Sequence, residues 1–227
     1  MKDKLKIVII SDTHEKHEQV EVPDGDLLIH CGDWTNRGEI NKMGDFFKWF
    51  GKQKPKRKIC IAGNHELLLD GANKEKVRSF VEEKCEEENI DYLFNSSIMI
   101  DEYKIYGSPW TPRFFNWSFN RDRGKDIAAE WAKIPDDVNI LITHGPCYGV
   151  LDLIEDNIYN RGRDLHQGCA DLRARISELK YLRLHAAGHL HATINHKLIE
   201  IDGVKFVNAS ICDELYNPIQ KPLVVYL

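Results

Sequence analysis

Five apolar runs in this sequence stop on the same kind of residue. KIVII (6–10) is followed by Ser11, Asp12, Thr13 and His14, and LLIH (27–30) by Cys31, Gly32, Asp33 and Trp34. ICIA (59–62) leads into Gly63, Asn64, His65 and Glu66. ILIT (140–143) leads into His144, Gly145 and Pro146, and LHAA (184–187) into Gly188, His189, Leu190 and His191. Short, Ile-rich runs bounded by polar residues and glycine read as strands buried on both faces. Strands of that kind belong to parallel or mixed sheets covered by helices. In such sheets the carboxyl ends of the strands open on a common crevice. A chain whose strands all end in Asp, Asn or His is therefore constrained to gather those groups in one place.

The remaining pattern fits that frame. GEINKMGDFFKWFG (38–51) puts Ile40, Met43, Phe46, Phe47 and Phe50 on one helical face. Residues 73–88 predict a highly charged helix, 91–107 short strands, and 124–133 another helix. TINHKLIEI, VKFVNAS and PLVVYL predict closing antiparallel strands. The reading is an α/β core of mixed sheets with helices on both outer faces. No Pro/Gly-rich linker divides residues 1–227, so one domain is expected. A hydrophobic content of 42% is enough for a core of that size.

Composition excludes some functions. A net charge of −5 argues against a broad grip on nucleic acid, and KQKPKRK (52–58) reads as a solvated turn. No apolar run is long enough to span a membrane, and MKDKLKIVIISD reads as a first strand, not a signal peptide. The six cysteines (31, 60, 85, 147, 169 and 212) include no CxxC pair and predict reduced thiols in a cytoplasmic protein.

The strand-end residues point to metal chemistry. On extended backbone, Asp12 and His14, or His189 and His191, would present both side chains on one side. Two carboxylates, one amide oxygen and four imidazoles form a mixed nitrogen and oxygen set, better suited to Mn²⁺, Fe, Zn²⁺ or Co²⁺ than to Ca²⁺. Seven groups exceed one tetrahedral site but fit two ions sharing a carboxylate. Asp-x-His alone is common, and His-x-His in a strand is often one buried and one exposed residue. All five segments in order are not a coincidence of that kind.

The series DxH, GDW, GNHE, HGP and GHxH resembles the calcineurin-like metallophosphoesterase superfamily, from Lys6 to Ser210. YGSPWTP (106–112), HGP and the NAS at 208 are similar to the metallophosphoesterase-domain branch of small stand-alone phosphodiesterases. The resemblance implies an α-β-β-α sandwich, two mixed sheets face to face with helices outside. It implies that Asp12, His14 and His191 hold one divalent ion and Asn64, His144 and His189 a second. Asp33 would bridge the two and so serve the reaction directly. The ions would be Mn²⁺ first, with Fe, Zn²⁺, Co²⁺ or Ni²⁺ as substitutes. His65 would face the substrate, stabilise the phosphoryl oxygens and protonate the leaving alkoxide. Glu66 would orient His65 or hold the loop, or else be a surface or capping carboxylate.

The implied reaction is hydrolysis of a small phosphodiester such as a cyclic nucleotide by hydroxide held between the ions. Alternatives are a phosphomonoesterase or protein phosphatase, and a catalytically inactive scaffold, which the full ligand set disfavours. A nuclease is disfavoured by the net charge. The expected partner is a small phosphoester, and the oligomeric state stays open. SPWTPRFFNWSFNRDR (108–123) would set Trp110 or Phe115 against a base and Arg113 on phosphate, or simply pack aromatics beneath a long loop. Residues 148–168, with Arg161, Arg163 and His166, form a second long polar connection, a candidate cover for the site.

Overall fold

The structure, a computed structural model, describes residues 4–154, 162 and 164–227. In chain order its elements are β1 (Lys6–Ile10), β2 (Leu27–His30), α1 (Ile40–Gly51), β3 (Arg57–Cys60), α2 (Lys74–Glu87), β4 (Asp91–Tyr92), β5 (Ser96–Ile100), β6 (Tyr103–Ser108), β7 (Thr111–Pro112), β8 (Asn120–Arg121), α3 (Lys125–Trp131), β9 (Ile140–Thr143), α4 (Ala170–Glu178), β10 (Leu184–Ala187), β11 (Lys197–Ile201), β12 (Val204–Asn208) and β13 (Leu223–Tyr226). One sheet runs β13-β1-β2-β3-β4 and the other β11-β12-β10-β9-β6-β5, with β7-β8 a separate small pair. β1 to β4 are parallel, as are β6, β9, β10 and β12, while β13, β11 and β5 join antiparallel at the edges.

Alternation along each strand builds the layers. Ile7 and Ile9 of β1, Leu27 and Ile29 of β2, Ile105 of β6, Ile140 and Ile142 of β9 and Leu184 of β10 pack into one core between the sheets. Val8, Ile10 and Leu28 point the other way, toward Phe46, Phe47 and Phe50 of α1. Each such side chain contributes about 1.5–3 kcal/mol on burial. The second sheet's outer face, with Leu141 and Phe206, is covered by Ile127 and Trp131 of α3 and Leu172 and Ile176 of α4. The mixed sheets and helical layers match the sandwich expected. No described helix is long and apolar enough to cross a membrane.

Three local expectations need correction. Ile40 opens α1 and is 45% exposed, so the buried face begins at Met43. Thr193–Asn195 is a 3₁₀ turn, and the strand expected from 193 starts at Lys197. Helix α4 was not foreseen. Its sequence, ADLRARISE, has few apolar residues, and its N-cap is Cys169, whose sulfur accepts from the Leu172 N–H where Ser, Thr, Asp or Asn is usual.

Two buried histidines support the loops that leave the sheets. His30 accepts at Nδ1 from the Gly32 N–H (3.2 Å) and so donates from Nε2 to the Thr13 hydroxyl (3.0 Å). Thr143 donates to the Gly145 carbonyl (2.7 Å), so its oxygen accepts from His185 Nε2–H (2.8 Å). Thr13 and Thr143 directly precede His14 and His144. Burial pushes both His30 and His185 down to about 3. These groups stay neutral in the native state but titrate near 6.5 when unfolded, so their contribution is present above that pH and is lost as pH falls from 6.5 toward 3. Denaturant midpoints are therefore expected to fall between pH 6.5 and 4.5. The slope should flatten in His30→Asn and His185→Asn variants. An unchanged slope in both would exclude these residues as its source.

Candidate functional site

All five strand exits converge at one edge of the sandwich, though not by the strand pleat. The strands end at Ile10 and Ala187, and Asp12 (φ 55°), His14 (φ 42°), Asp33 (φ 58°) and His189 (φ 71°) all adopt left-handed backbone. The extended-backbone argument for Asp12/His14 and His189/His191 is thus overturned. Left-handed turns aim these side chains, at about 1–3 kcal/mol for each strained residue. Close packing fixes the neighbouring glycines. A Cβ on Gly63 would collide with the Asp33 carboxylate, and one on Gly188 with Ser11 and Asp12.

Among the described residues the side chains form two end clusters linked by a third group, His14, Asp33 and His65. Asp12, His14 and His191 make one, Asp33, His144 and His189 the other, each with ligand atoms within 4.8 Å of one another. In the first, His191 Nε2 lies 3.3 Å from His14 Nε2 and 3.2 Å from Asp12 Oδ1. In the second, His144 Nε2 lies 2.9 Å from Asn64 Oδ1 and 3.2 Å from Asp33 Oδ2. The same Asp33 Oδ2 is 3.8 Å from His14 Nε2, so one carboxylate oxygen faces both clusters.

Backbone carbonyls set the tautomers. His144 Nδ1–H donates to the Cys31 carbonyl (2.8 Å) and His191 Nδ1–H to that of Asp213 (3.1 Å). In the neutral rings both Nε2 lone pairs then point at carboxylate or amide oxygens, acceptor against acceptor. A cation reconciles them. Donors about 2.0–2.2 Å from one ion stand roughly 2.8–3.6 Å apart on neighbouring vertices, a range that holds the His191–His14, His191–Asp12, His144–Asn64 and His144–Asp33 separations.

The electrostatics give the same answer. Burial pushes His14 down to about 4 and His189 to about 3. Burial also opposes protonation of His144, but Asp33, Asp12 and the Cys31 carbonyl together outweigh it and carry the ring up to about 9. His191 is likewise raised against burial by its bond to Asp12. Asp12 and Asp33, despite burial, are held well below the usual carboxylate range by the imidazoles around them. Each cluster thus favours positive charge among its donors, and a divalent ion in each suits the nitrogen and oxygen set.

His65 and Glu66 divide the work beside these clusters. The His65 N–H donates to Asp33 Oδ1 (2.8 Å), and Nδ1–H to the Asn36 carbonyl (2.8 Å). Its Nε2 faces the centre, 3.9 Å from Asp33 Oδ2, and Trp117 stacks on the ring at 4.1 Å. Glu66 is fully buried and does not orient the His65 ring. Its carboxylate accepts from the N–H groups of Gly63 (2.7 Å), Asp33 (3.0 Å) and Thr35 (3.0 Å) and from the Thr35 hydroxyl. Burial and Asp33 push it up to about 8, while the Gly63 and Thr35 amides pull the other way. Glu66 therefore pins the Gly63 turn to the Asp33 loop, the second of the roles expected of it.

Other supports lie outside the metal-ligand set of the motifs. Ser210 donates its hydroxyl (2.7 Å) and His189 its N–H (2.9 Å) to Asp12 Oδ2. Asn208 Nδ2 donates to the Leu151 and Leu190 carbonyls. Tyr216 lies edge-on to His14 at 4.6 Å. The NAS at 208 pointed at two of these residues, but only as part of a resemblance.

A pocket of about 550 Å³ opens over the clusters, lined by Arg113, Phe115, Trp117, Arg123, Leu190 and Tyr216 among others. Trp110 is not on it. Its ring is 5% exposed, packed on Phe94 and Phe119, with the Arg121 guanidinium 3.6 Å above it. The expectation that Trp110 meets a base is therefore corrected: it is core. Phe115 is 75% exposed on the rim, and Arg113 also lines the pocket, paired with Asp122. His166 bonds Asp152 (2.5 Å), which also accepts from the Gly149 and Gly168 N–H groups. Arg161 and Arg163 lie outside the described residues.

Two nitrogen-and-oxygen clusters joined through one carboxylate, with an imidazole beside them, are the working parts of a two-metal hydrolase. Residues 5–193 match the family model for calcineurin-like phosphoesterases, and the chain belongs to that family, as a metal-dependent phosphoesterase. It is 34% identical over 239 residues to human Metallophosphoesterase domain-containing protein 1, covering 98% of this chain and 71% of that protein. It is also 34% identical to the Caenorhabditis elegans UPF0046 proteins K07C11.7 (98% of this chain, 75% of that one) and C25E10.12 (98% and 80%).

Chelation is expected to abolish phosphoesterase activity, and added Mn²⁺ to restore it; full activity in metal-free protein would refute the metal requirement. Asp33→Ala should bind fewer than two ions per chain by elemental analysis. Glu66→Ala strands three backbone N–H groups at about 1–3 kcal/mol each, so its melting temperature should drop well below that of a surface Glu→Ala control.

Proposed function

We propose that this protein hydrolyses small phosphodiesters, cyclic nucleotides first among them, using two divalent ions, Mn²⁺ by preference. Asp12, His14 and His191 would hold one ion and Asn64, His144 and His189 the other, with Asp33 facing both. The observation that carries this reading is Asp33 Oδ2, within 3.2 Å of His144 Nε2 and 3.8 Å of His14 Nε2, at the floor of an aromatic-walled pocket. Two such ions supply Lewis acidity toward phosphoryl oxygens and acidify water.

The chain's own residues do the rest. Because the Asn36 carbonyl occupies Nδ1–H, a proton carried on His65 Nε2 makes the ring an imidazolium facing the centre. That ring meets negative charge on the phosphoryl oxygens and gives its proton to the leaving oxygen. The Trp117 face and the Asn36 carbonyl hold it in place. Phe115 and Tyr216 on the pocket wall offer faces for a flat base. Arg113 is already paired with Asp122, which favours a singly charged diester over a monoester. Arg123, bonded to the Gln167 and Gly168 carbonyls on the same wall, is the observation that favours the monoester alternative. The six cysteines, all unpaired, support a reducing compartment such as the cytoplasm.

His65→Ala is expected to retain both metals and lose roughly 10²–10⁴-fold in rate. The loss should be smaller for p-nitrophenolate leaving groups. Metal loss without leaving-group dependence would place His65 among the ligands instead. Phe115→Ala should raise KM for a cyclic nucleotide relative to bis-(p-nitrophenyl) phosphate, whereas Trp110→Ala should lower the melting temperature and leave that ratio unchanged. If p-nitrophenyl phosphate is turned over with the higher kcat/KM of the two chromogenic substrates, the monoesterase reading replaces this one.

A further inference from the structure

The two clusters are supported differently. His144 is oriented by the Cys31 carbonyl, inside the core. His191 is oriented by the Asp213 carbonyl, which belongs to a surface turn that includes Leu215, 80% exposed. That turn is closed on itself. The Asp213 carbonyl also accepts the Tyr216 N–H (2.9 Å). Asp213 Oδ1 accepts from the N–H groups of Leu215 (2.9 Å) and Asn217 (2.8 Å), and Oδ2 from the Asn217 side chain (3.2 Å). Tyr216 sits at φ 61°, and its ring lies 4.6 Å from His14 and 5.2 Å from His191, at interplanar angles of 73° and 76°. The Tyr216 carbonyl takes the ammonium of Lys16, two residues beyond His14. One turn thus bonds His191, abuts His14 and is tethered to the loop that carries Asp12 and His14.

We propose that the turn Asp213–Asn217 is a clasp for the ion beside Asp12, His14 and His191, with Asp213 and Tyr216 as its positioning residues. This rests on the dinuclear reading above. The carboxylate of Asp213 shapes the turn, the turn aims the carbonyl, and the carbonyl sets the His191 ring with its Nε2 lone pair inward. The Tyr216 ring, edge-on to both imidazoles, limits how far they can tilt. Outer partners of metal-binding imidazoles typically govern affinity by 10–100-fold. Damage to the turn is therefore selective: it weakens one ion and spares the other, whose imidazole is held from the core.

The experiment is calorimetric titration of Mn²⁺ into chelator-stripped full-length protein. Wild type is expected to bind two ions. Asp213→Ala and Tyr216→Leu are expected to lose about 10–100-fold in affinity for one ion and to retain the other. Tyr216→Phe, which keeps the ring, should behave as wild type. Lys16→Ala, which cuts only the tether, should weaken the same ion by a smaller factor. The retained ion shows that each variant is folded. Parallel loss of both ions, or no loss in either turn variant, overturns the clasp. Fewer than two ions in wild type overturns the dinuclear reading itself, and the clasp with it.

Discussion

Acceptors facing acceptors are the constraint on which this structure turns. Two carboxylates, an amide oxygen and imidazole lone pairs are pressed together where water scarcely reaches. Asp12 and His144 are fully buried, and Asp33 and Asn64 nearly so. Such a set is costly unless positive charge joins it. Against burial, Asp33 and Asp12 draw the His144 ring upward and Asp12 draws His191 the same way, and divalent ions would supply that charge better. Asp33 cannot be satisfied from one side alone, because its outer oxygen faces both clusters.

A set so unfavourable by itself must be held by something stiff. The parallel strands do this, with β1, β2 and β3 in register on one sheet and β6, β9 and β10 on the other. The sheets are also stitched together at the site: Ser11 bridges to Ser210, and the Ile211 N–H donates to the Ser11 carbonyl. On that frame, four left-handed residues that would relax in a free peptide stay strained. Glu66 and the two His–Thr pairs then lock the loops from behind. The rigid interior and the strained rim are one arrangement, and the chemistry sits where they meet.

Much of this was legible because strand cores and site residues carry opposite signals, Ile and Val against Asp, Asn and His. The five strand exits announced both the sheets and the site. What the sequence did not reveal depended on partners distant in the chain. Trp110 could be read as a base-stacking face or as packing beneath the loop, and Phe94, Phe119 and Arg121 enclose it. Glu66 could not be told from a surface acid until the amides of Asp33 and Thr35 were found against it. Helix α4 lacked both a strong apolar stripe and an ordinary cap. The backbone at Asp12 and His189 departs from the strand period because both turn left-handed just beyond β1 and β10, even though Asp12 still bonds the neighbouring exit at Gly32.

The edge pairing of β13 with β1 has a consequence in time. Ile9 lies opposite Leu223, and Asp12 takes its hydroxyl donor from Ser210. The strand that delivers the first ligands is thus completed by chain made roughly two hundred residues later, some 10–40 s at ordinary rates of synthesis. A nascent chain on the ribosome holds Asp12, His14 and Asp33 long before it has the residues that turn them into a centre. His189, His191 and Ser210, which complete the surroundings of Asp12, come from the late part of the chain.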